Sequence, residues 1–126
     1  GDFYLLERLR KAFPSHLIYA GFDEMMLPAA VLGVDGAIGS TFNVNGIRAR
    51  QIFELAQQGK IKEAFALQNV TNDLIEGILG NGLYQTIKGL LEEEGVNAGY
   101  CREPMTKELT PAQKVVVKEL KAKYLS

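Results

Sequence analysis

Two carboxylates stand side by side at Asp23-Glu24, directly after Gly21-Phe22, and two hydroxyls follow a glycine at Gly39-Ser40-Thr41. Each cluster closes a short apolar run, 16–20 in the first case and 36–38 in the second. A carboxylate accepts two or more hydrogen bonds, and a hydroxyl both donates and accepts, so such a rim suits a ligand carrying several hydroxyls. Gly21 and Gly39 would let backbone approach that ligand, or another strand, closely. A purely local reading competes. Acids at a helix start complement the positive end of its dipole, and Asn43 or Asn45 would cap the helix that follows. The residues alone leave both readings open.

Little other chemistry is on offer. The chain has one His and one Cys, so no metal-ligand spacing exists, and no metal or other cofactor is expected. His16 opens a strand that reads as buried, and Cys101 has no cysteine to pair with in the chain. No glycine-rich phosphate loop opens a helix, and no Ser/His/Asp set is evident. With 126 residues and a net charge of -1, the chain has no basic excess for nucleic acid. Its longest apolar stretch falls well short of the ~20 residues that span a bilayer, so no membrane partner is expected. The first residues lack the basic and apolar segments of a secretory signal. A single cysteine fits a reducing cytoplasm.

The elements that must position the rim form a strand–helix–strand unit over 16–41. Strands are expected at 16–21 and 36–39; the first is apolar almost throughout, as parallel strands covered on both faces tend to be, and the second is short and glycine-rich. The helix between them starts near Asp23-Glu24 and runs through 25–33. Pro28 falls early in it and removes one backbone donor. In α/β proteins, ligands gather at the C-terminal ends of such strands.

The rest of the chain reads as helical. A helix at 1–13 has Asp2 as N-cap and an apolar stripe of Leu5, Leu6, Leu9 and Phe13. Helices at 45–58, 60–79 and 83–94 follow, the first stopping at Gly59 and the second at Gly80-Asn81-Gly82. Glu92, Glu93 and Glu94 sit at the end of their helix that disfavours acids. After a loop, Thr110-Pro111-Ala112-Gln113 announces a last helix to about Tyr124. Two strands cannot make a stable parallel sheet under this many helices. The sequence therefore reads as the later part of something larger.

At Gly21-Phe22-Asp23-Glu24, 36–41 and Gly82-Leu83-Tyr84 the chain resembles the C-terminal part of the N-acetylneuraminate lyases, the sialic acid aldolases. These belong to the dihydrodipicolinate synthase superfamily. The resemblance includes Asp2-Phe3-Tyr4 and the Cys101-Arg102-Glu103-Pro104 loop. Dihydrodipicolinate synthases usually carry Gly-Asp-Asp where this chain has Gly21-Phe22-Asp23-Glu24, which favours the sialic acid branch.

The resemblance implies an α/β fold: the C-terminal part of a (β/α)8 TIM barrel, with strands 7 and 8, helices 6 to 8 and three C-terminal helices. Residues 1–58 would be partial barrel and 59–126 its helical extension. It implies reversible cleavage of N-acetylneuraminate to N-acetylmannosamine and pyruvate, through a Schiff base on a strand-6 lysine. That lysine would lie a few residues before Gly1, so no catalytic residue is expected here and the chain alone should be inactive. By resemblance, Gly21, Asp23, Glu24, Gly39, Ser40 and Tyr84 bind the sugar portion of the substrate; helix packing is the alternative for Tyr84. The implied partners are the complementary N-terminal half of the barrel and other copies in a homotetramer. Two alternatives stand beside this reading: a half-barrel without catalysis, and an aldolase for a different 2-keto acid.

Overall fold

The computed structural model describes residues 2–125. The expected helix start at Gly1, and Ser126, lie outside the described residues. Six helices, α1 (Phe3–Ala12), α2 (Met26–Val31), α3 (Phe42–Gln57), α4 (Ile61–Asn81), α5 (Leu83–Glu93) and α6 (Pro111–Tyr124), accompany one small parallel sheet. Its strands are β1 (Tyr19–Ala20) and β2 (Gly36–Ala37), with Tyr19 opposite Gly36 and Ala20 opposite Ala37. The chain is an α/β fold, mostly helical.

Both strands are shorter than the expected 16–21 and 36–39. Each has one neighbour in a two-stranded sheet, and so little ladder to extend it. Flanking bonds continue the alignment: Asp35 N–H donates to Ile18 O, and Ile38 N–H to Ala20 O, both at 2.8 Å. The expected cover on both faces is also incomplete, since Tyr19 is 54% exposed.

Asp2 caps α1, accepting from Leu5 N–H at 2.9 Å. No residue of α1 is buried. Its Leu5, Leu6 and Leu9 instead line an apolar recess of about 260 Å³ shared with Ile18, Tyr19 and Phe22. Arg10 ties α1 to the segments that lead into both strands. Its guanidinium donates to Gly33 O at 2.9 Å and His16 O at 3.0 Å, and it pairs with the Asp35 carboxylate. Asp35 also accepts from Ile18 N–H at 2.8 Å.

α3 begins at Phe42 rather than at the expected 45. The expected boundary coincides with a kink: Asn45 sits at φ -122°, ψ 18° inside the helix. Thr41 O accepts from Val44 N–H at 3.1 Å and from Asn45 N–H at 2.9 Å, so a first turn closes before the break. At the other end Gly59 has φ 73°. There Gly59 N–H bonds Ala56 O and Lys60 N–H bonds Leu55 O, a Schellman termination that only a glycine enters freely.

α4 is the spine of the structure because it belongs to two cores. Ala64 joins Met26, Leu27, Ala49 and Ile52 below the strand ends. Leu74 and Ile78 pack with Ile87, Leu90, Val117 and Leu120 further along. Truncating such a fully buried Leu or Ile to Ala costs about 2–5 kcal/mol. α6 starts with the expected capping box, in which Gln113 N–H donates to Thr110 Oγ1 and Thr110 N–H to Gln113 Oε1. Of the acids at the end of α5, Glu94 has a partner: Lys121 Nζ of α6 lies 3.3 Å from Glu94 Oε1.

Candidate functional site

Because the two strands are parallel and in register, they deliver their following residues to the same end of the sheet. After β1, Gly21 and Phe22 lead into a single 3₁₀ turn, Asp23–Met25, which runs directly into α2. After β2, Ile38–Thr41 leads into α3. Asp23 is 6% exposed and Thr41 2%. The Thr41 N–H donates to Asp23 Oδ2 at 2.8 Å, and the Thr41 hydroxyl donates to the same oxygen. The other carboxylate oxygen lies against Gly39, where a Cβ would come within 1.7 Å of it. Gly39 is therefore required by the Asp23 carboxylate, which fills the space a side chain would occupy.

The next residue differs. Glu24 is exposed, Gly21 is exposed, and Ser40 is half-buried at the start of the turn into α3. The Ser40 carbonyl accepts from Asn43 Nδ2 at 2.8 Å. The rim thus combines the solvent-facing Glu24 carboxylate and the Ser40 hydroxyl with the buried Asp23 carboxylate anchored behind them. That set can pair with several hydroxyls of one ligand. Tyr84, the second residue of α5, is 44% exposed, and among the described residues no hydrogen bond or ring contact joins it to this rim. Among the described residues no group of three or more His, Cys, Asp and Glu is placed to hold a metal ion.

From behind, α4 grips the backbone of the same turn. Gln68, 3% exposed, donates from Nε2 to Asp23 O at 3.2 Å and accepts at Oε1 from Leu27 N–H at 3.1 Å. Its Nε2 also donates to Asn72 Oδ1 at 2.8 Å, and Asn72 Nδ2 donates to Glu24 O at 3.2 Å. One turn along, Thr71 Oγ1 accepts from Asn45 Nδ2 at 3.2 Å, at the kink of α3. Arg48, whose guanidinium burial holds its pKa below the ordinary value, donates to Asn45 Oδ1 at 2.8 Å.

Sequence reading gathers Asp23, Glu24, Gly39 and Ser40 at one end of the unit, and the structure brings Asp23 against Gly39. It gives no role to Gln68 and Asn72. For Gln68 a signal is present: Ala64, Gln68, Thr71, Ile75 and Ile78 form one buried stripe of α4, interrupted by the polar Gln68 and Thr71; the half-buried Asn72 lies outside it. A polar side chain in a buried stripe needs a partner, and that partner is worth seeking.

The Dihydrodipicolinate synthetase family matches residues 1–123 of the chain. N-acetylneuraminate lyase of Pasteurella multocida (strain Pm70) is 79% identical over 126 residues, which is 100% of this chain and 43% of that protein. N-acetylneuraminate lyase of Haemophilus influenzae is 75% identical over the same span. Among solved structures, N-acetylneuraminate lyase from Fusobacterium nucleatum complexed with pyruvate superposes with a TM-score of 0.95 at 68% identity, covering 100% of this chain and 42% of that one. CdNal from Clostridium difficile in complex with mannosamine gives a TM-score of 0.96 at 72% identity, over 98% of this chain and 42% of that one. The chain spans less than half the length of the curated relatives it matches. Matched by the family over nearly all its residues, and by these relatives along all or nearly all of its length, the chain belongs to the Dihydrodipicolinate synthetase family.

Proposed function

We propose that this chain supplies the sugar-binding part of an N-acetylneuraminate lyase, which cleaves N-acetylneuraminate to N-acetylmannosamine and pyruvate. In this reading β1 and β2 are strands 7 and 8 of a (β/α)8 barrel, α1 to α3 are helices 6 to 8, and α4 to α6 are the extension. Residues 1–58 are the barrel portion and 59–126 the extension. The Schiff-base lysine comes from the complementary N-terminal half, and the assembled enzyme is a cytoplasmic homotetramer. Asp23 and Glu24 accept from substrate hydroxyls, with Gly21, Gly39, Ser40 and Tyr84 lining the same region. Asp23 contributes as an anchored acceptor, and Glu24 as the adaptable one.

The observation that carries the reading is the identity of 79% to a lyase along every residue of the chain. The test is a chimera in which this chain replaces the matching 43% of the Pasteurella multocida lyase. The expected result is release of pyruvate from N-acetylneuraminate at a rate within about tenfold of the parent enzyme. Borohydride-trapped pyruvate without cleavage of N-acetylneuraminate would favour an aldolase for another keto acid. Loss of both, in a folded chimera, would favour a structural half-barrel.

A further inference from the structure

Two amides on α4 hold the acidic turn in a way that admits only one arrangement. The Leu27 N–H is purely a donor, so the Gln68 atom facing it must be the oxygen. The Gln68 nitrogen then faces Asp23 O, a pure acceptor, and its second hydrogen goes to Asn72 Oδ1. That leaves the Asn72 nitrogen for Glu24 O. Every member is satisfied, and flipping either amide would set donor against donor or acceptor against acceptor. α2 has no side-chain cap of its own at Met25, so Gln68 also supplies the acceptor for one of its first-turn donors.

The consecutive carbonyls of Asp23 and Glu24 are thus both fixed by one face of α4, through residues spaced i, i+4. On the opposite side, Thr41 fixes the Asp23 carboxylate. The exposed Glu24 side chain has no such anchor, so its reach is set by where its backbone is held. A binding group displaced by about 1 Å can cost two orders of magnitude in rate.

We propose that Gln68 and Asn72 are positioning residues for the Asp23-Glu24 turn, so that α4, rather than the strand ends alone, sets how well the sugar portion is bound. This rests on the reading of Glu24 as a sugar contact. Asn72 is the cleaner probe because it is half-buried and touches Glu24 only through the backbone carbonyl.

The experiment uses the full-length chimera described above and five enzymes: parent, Glu24→Gln, Asn72→Ala, Asn72→Asp and the double variant of Glu24→Gln with Asn72→Ala. For Asn72→Ala, KM for N-acetylneuraminate should rise about fivefold to twentyfold, while borohydride trapping with pyruvate changes by less than about twofold. In the Glu24→Gln background the same change should add less than about twofold, because Asn72 acts through Glu24. Asn72→Asp, which keeps an acceptor for Gln68 but sets a carboxylate oxygen against Glu24 O in place of the donor, should raise KM at least as far as Asn72→Ala. An unchanged KM in Asn72→Ala beside a raised KM in Glu24→Gln overturns the inference and leaves the sugar-contact reading standing. So does full additivity in the double variant, or an equal fall in pyruvate trapping. An unaltered Glu24→Gln enzyme instead overturns the sugar-contact reading, and the inference with it.

Discussion

Thr41 donates two hydrogen bonds, one from its backbone and one from its hydroxyl, to a single oxygen of the buried Asp23 carboxylate. This joins the end of β1 to the end of β2 by side-chain chemistry where the ladder has already run out. It also sets aside the local capping that the sequence offers for Asp23. The carboxylate does not cap the turn it begins; it reaches across to the neighbouring strand's exit. A buried charge needs partners of this kind, since its desolvation is otherwise uncompensated.

Removing the hydroxyl tests how much this bridge contributes. Thr41→Val keeps the shape and the backbone donor but leaves the carboxylate with one bond from Thr41 instead of two. Hydrogen bonds to charged groups contribute about 1.5–3 kcal/mol, so Thr41→Val should be destabilised by that amount in urea unfolding. A change below about 0.5 kcal/mol would show that water replaces the hydroxyl freely.

The two acids should respond differently to neutralisation. Asp23→Asn places an amide donor or a weaker acceptor against the Thr41 donors and Gly39, so it should lose stability as well as sugar binding. Glu24→Gln alters an exposed group and should lose only sugar binding. In the intact enzyme each should lower efficiency with N-acetylneuraminate by about tenfold to a hundredfold, with pyruvate Schiff-base formation nearly unchanged. Equal losses with sugar and with pyruvate would mean that the pair holds the rim together and contacts no sugar.

What the sequence revealed was local, and what it concealed was distant. The Thr110–Gln113 capping box and the Gly59 stop depend on residues within a few positions of each other, and both stand where pattern alone put them. The strand–helix–strand unit was legible for the same reason. The contact between Asp23 and Thr41 spans 18 positions, and that between Asp23 and Gln68 spans 45. Nothing in either neighbourhood names the other. The strands came out shorter than their apolar runs because pairing, which hydropathy does not report, limits a strand. α1 has the expected stripe, yet no residue of it is buried, because a stripe marks a face and not what covers it.

Asp35 should make stability depend on acid pH. The Ile18 N–H, and next the Arg10 guanidinium, hold its carboxyl below the ordinary value of 3.8. The folded chain therefore keeps the charge at pH values where the unfolded chain has taken up a proton. The resulting stability is fully present above the ordinary value and is lost as pH falls below it, through the folded value. Urea midpoints measured from about pH 5 down to about pH 2.5 should fall more steeply for the parent chain than for Asp35→Asn. Parallel curves would sink the assignment.

This chain alone should form no pyruvate Schiff base. No lysine occurs anywhere in 16–41, the segment that holds the acidic rim. Imine formation needs a neutral amine, which desolvation beside the substrate would provide. Lys88 is instead bonded to Ala98 O at 2.6 Å, and the neighbouring Tyr124 pushes the Lys123 amine up, the opposite of what a Schiff-base lysine needs. Mass spectrometry after borohydride reduction with pyruvate should show the unmodified chain. A stoichiometric adduct on one lysine would contradict this.

The exposed apolar face of α1 and β1 should drive association. Leu5 is 53% exposed, Leu9 39%, Leu17 71%, Tyr19 54% and Phe22 55%. Several of these surround the same recess, so they act as one patch rather than as scattered singles. β1 also has an unpaired side in a two-stranded sheet, a template for further pairing. Contiguous apolar patches beyond a few hundred Å² rarely stay in water. Sedimentation equilibrium should therefore give a mass above that of one chain, falling when Leu5 and Leu9 are replaced by Glu. Adding the complementary segment of the Pasteurella multocida lyase should convert the self-associated form into a defined mixed complex. A well-folded monomer at millimolar concentration, indifferent to that segment, would show that the patch is tolerated as it stands.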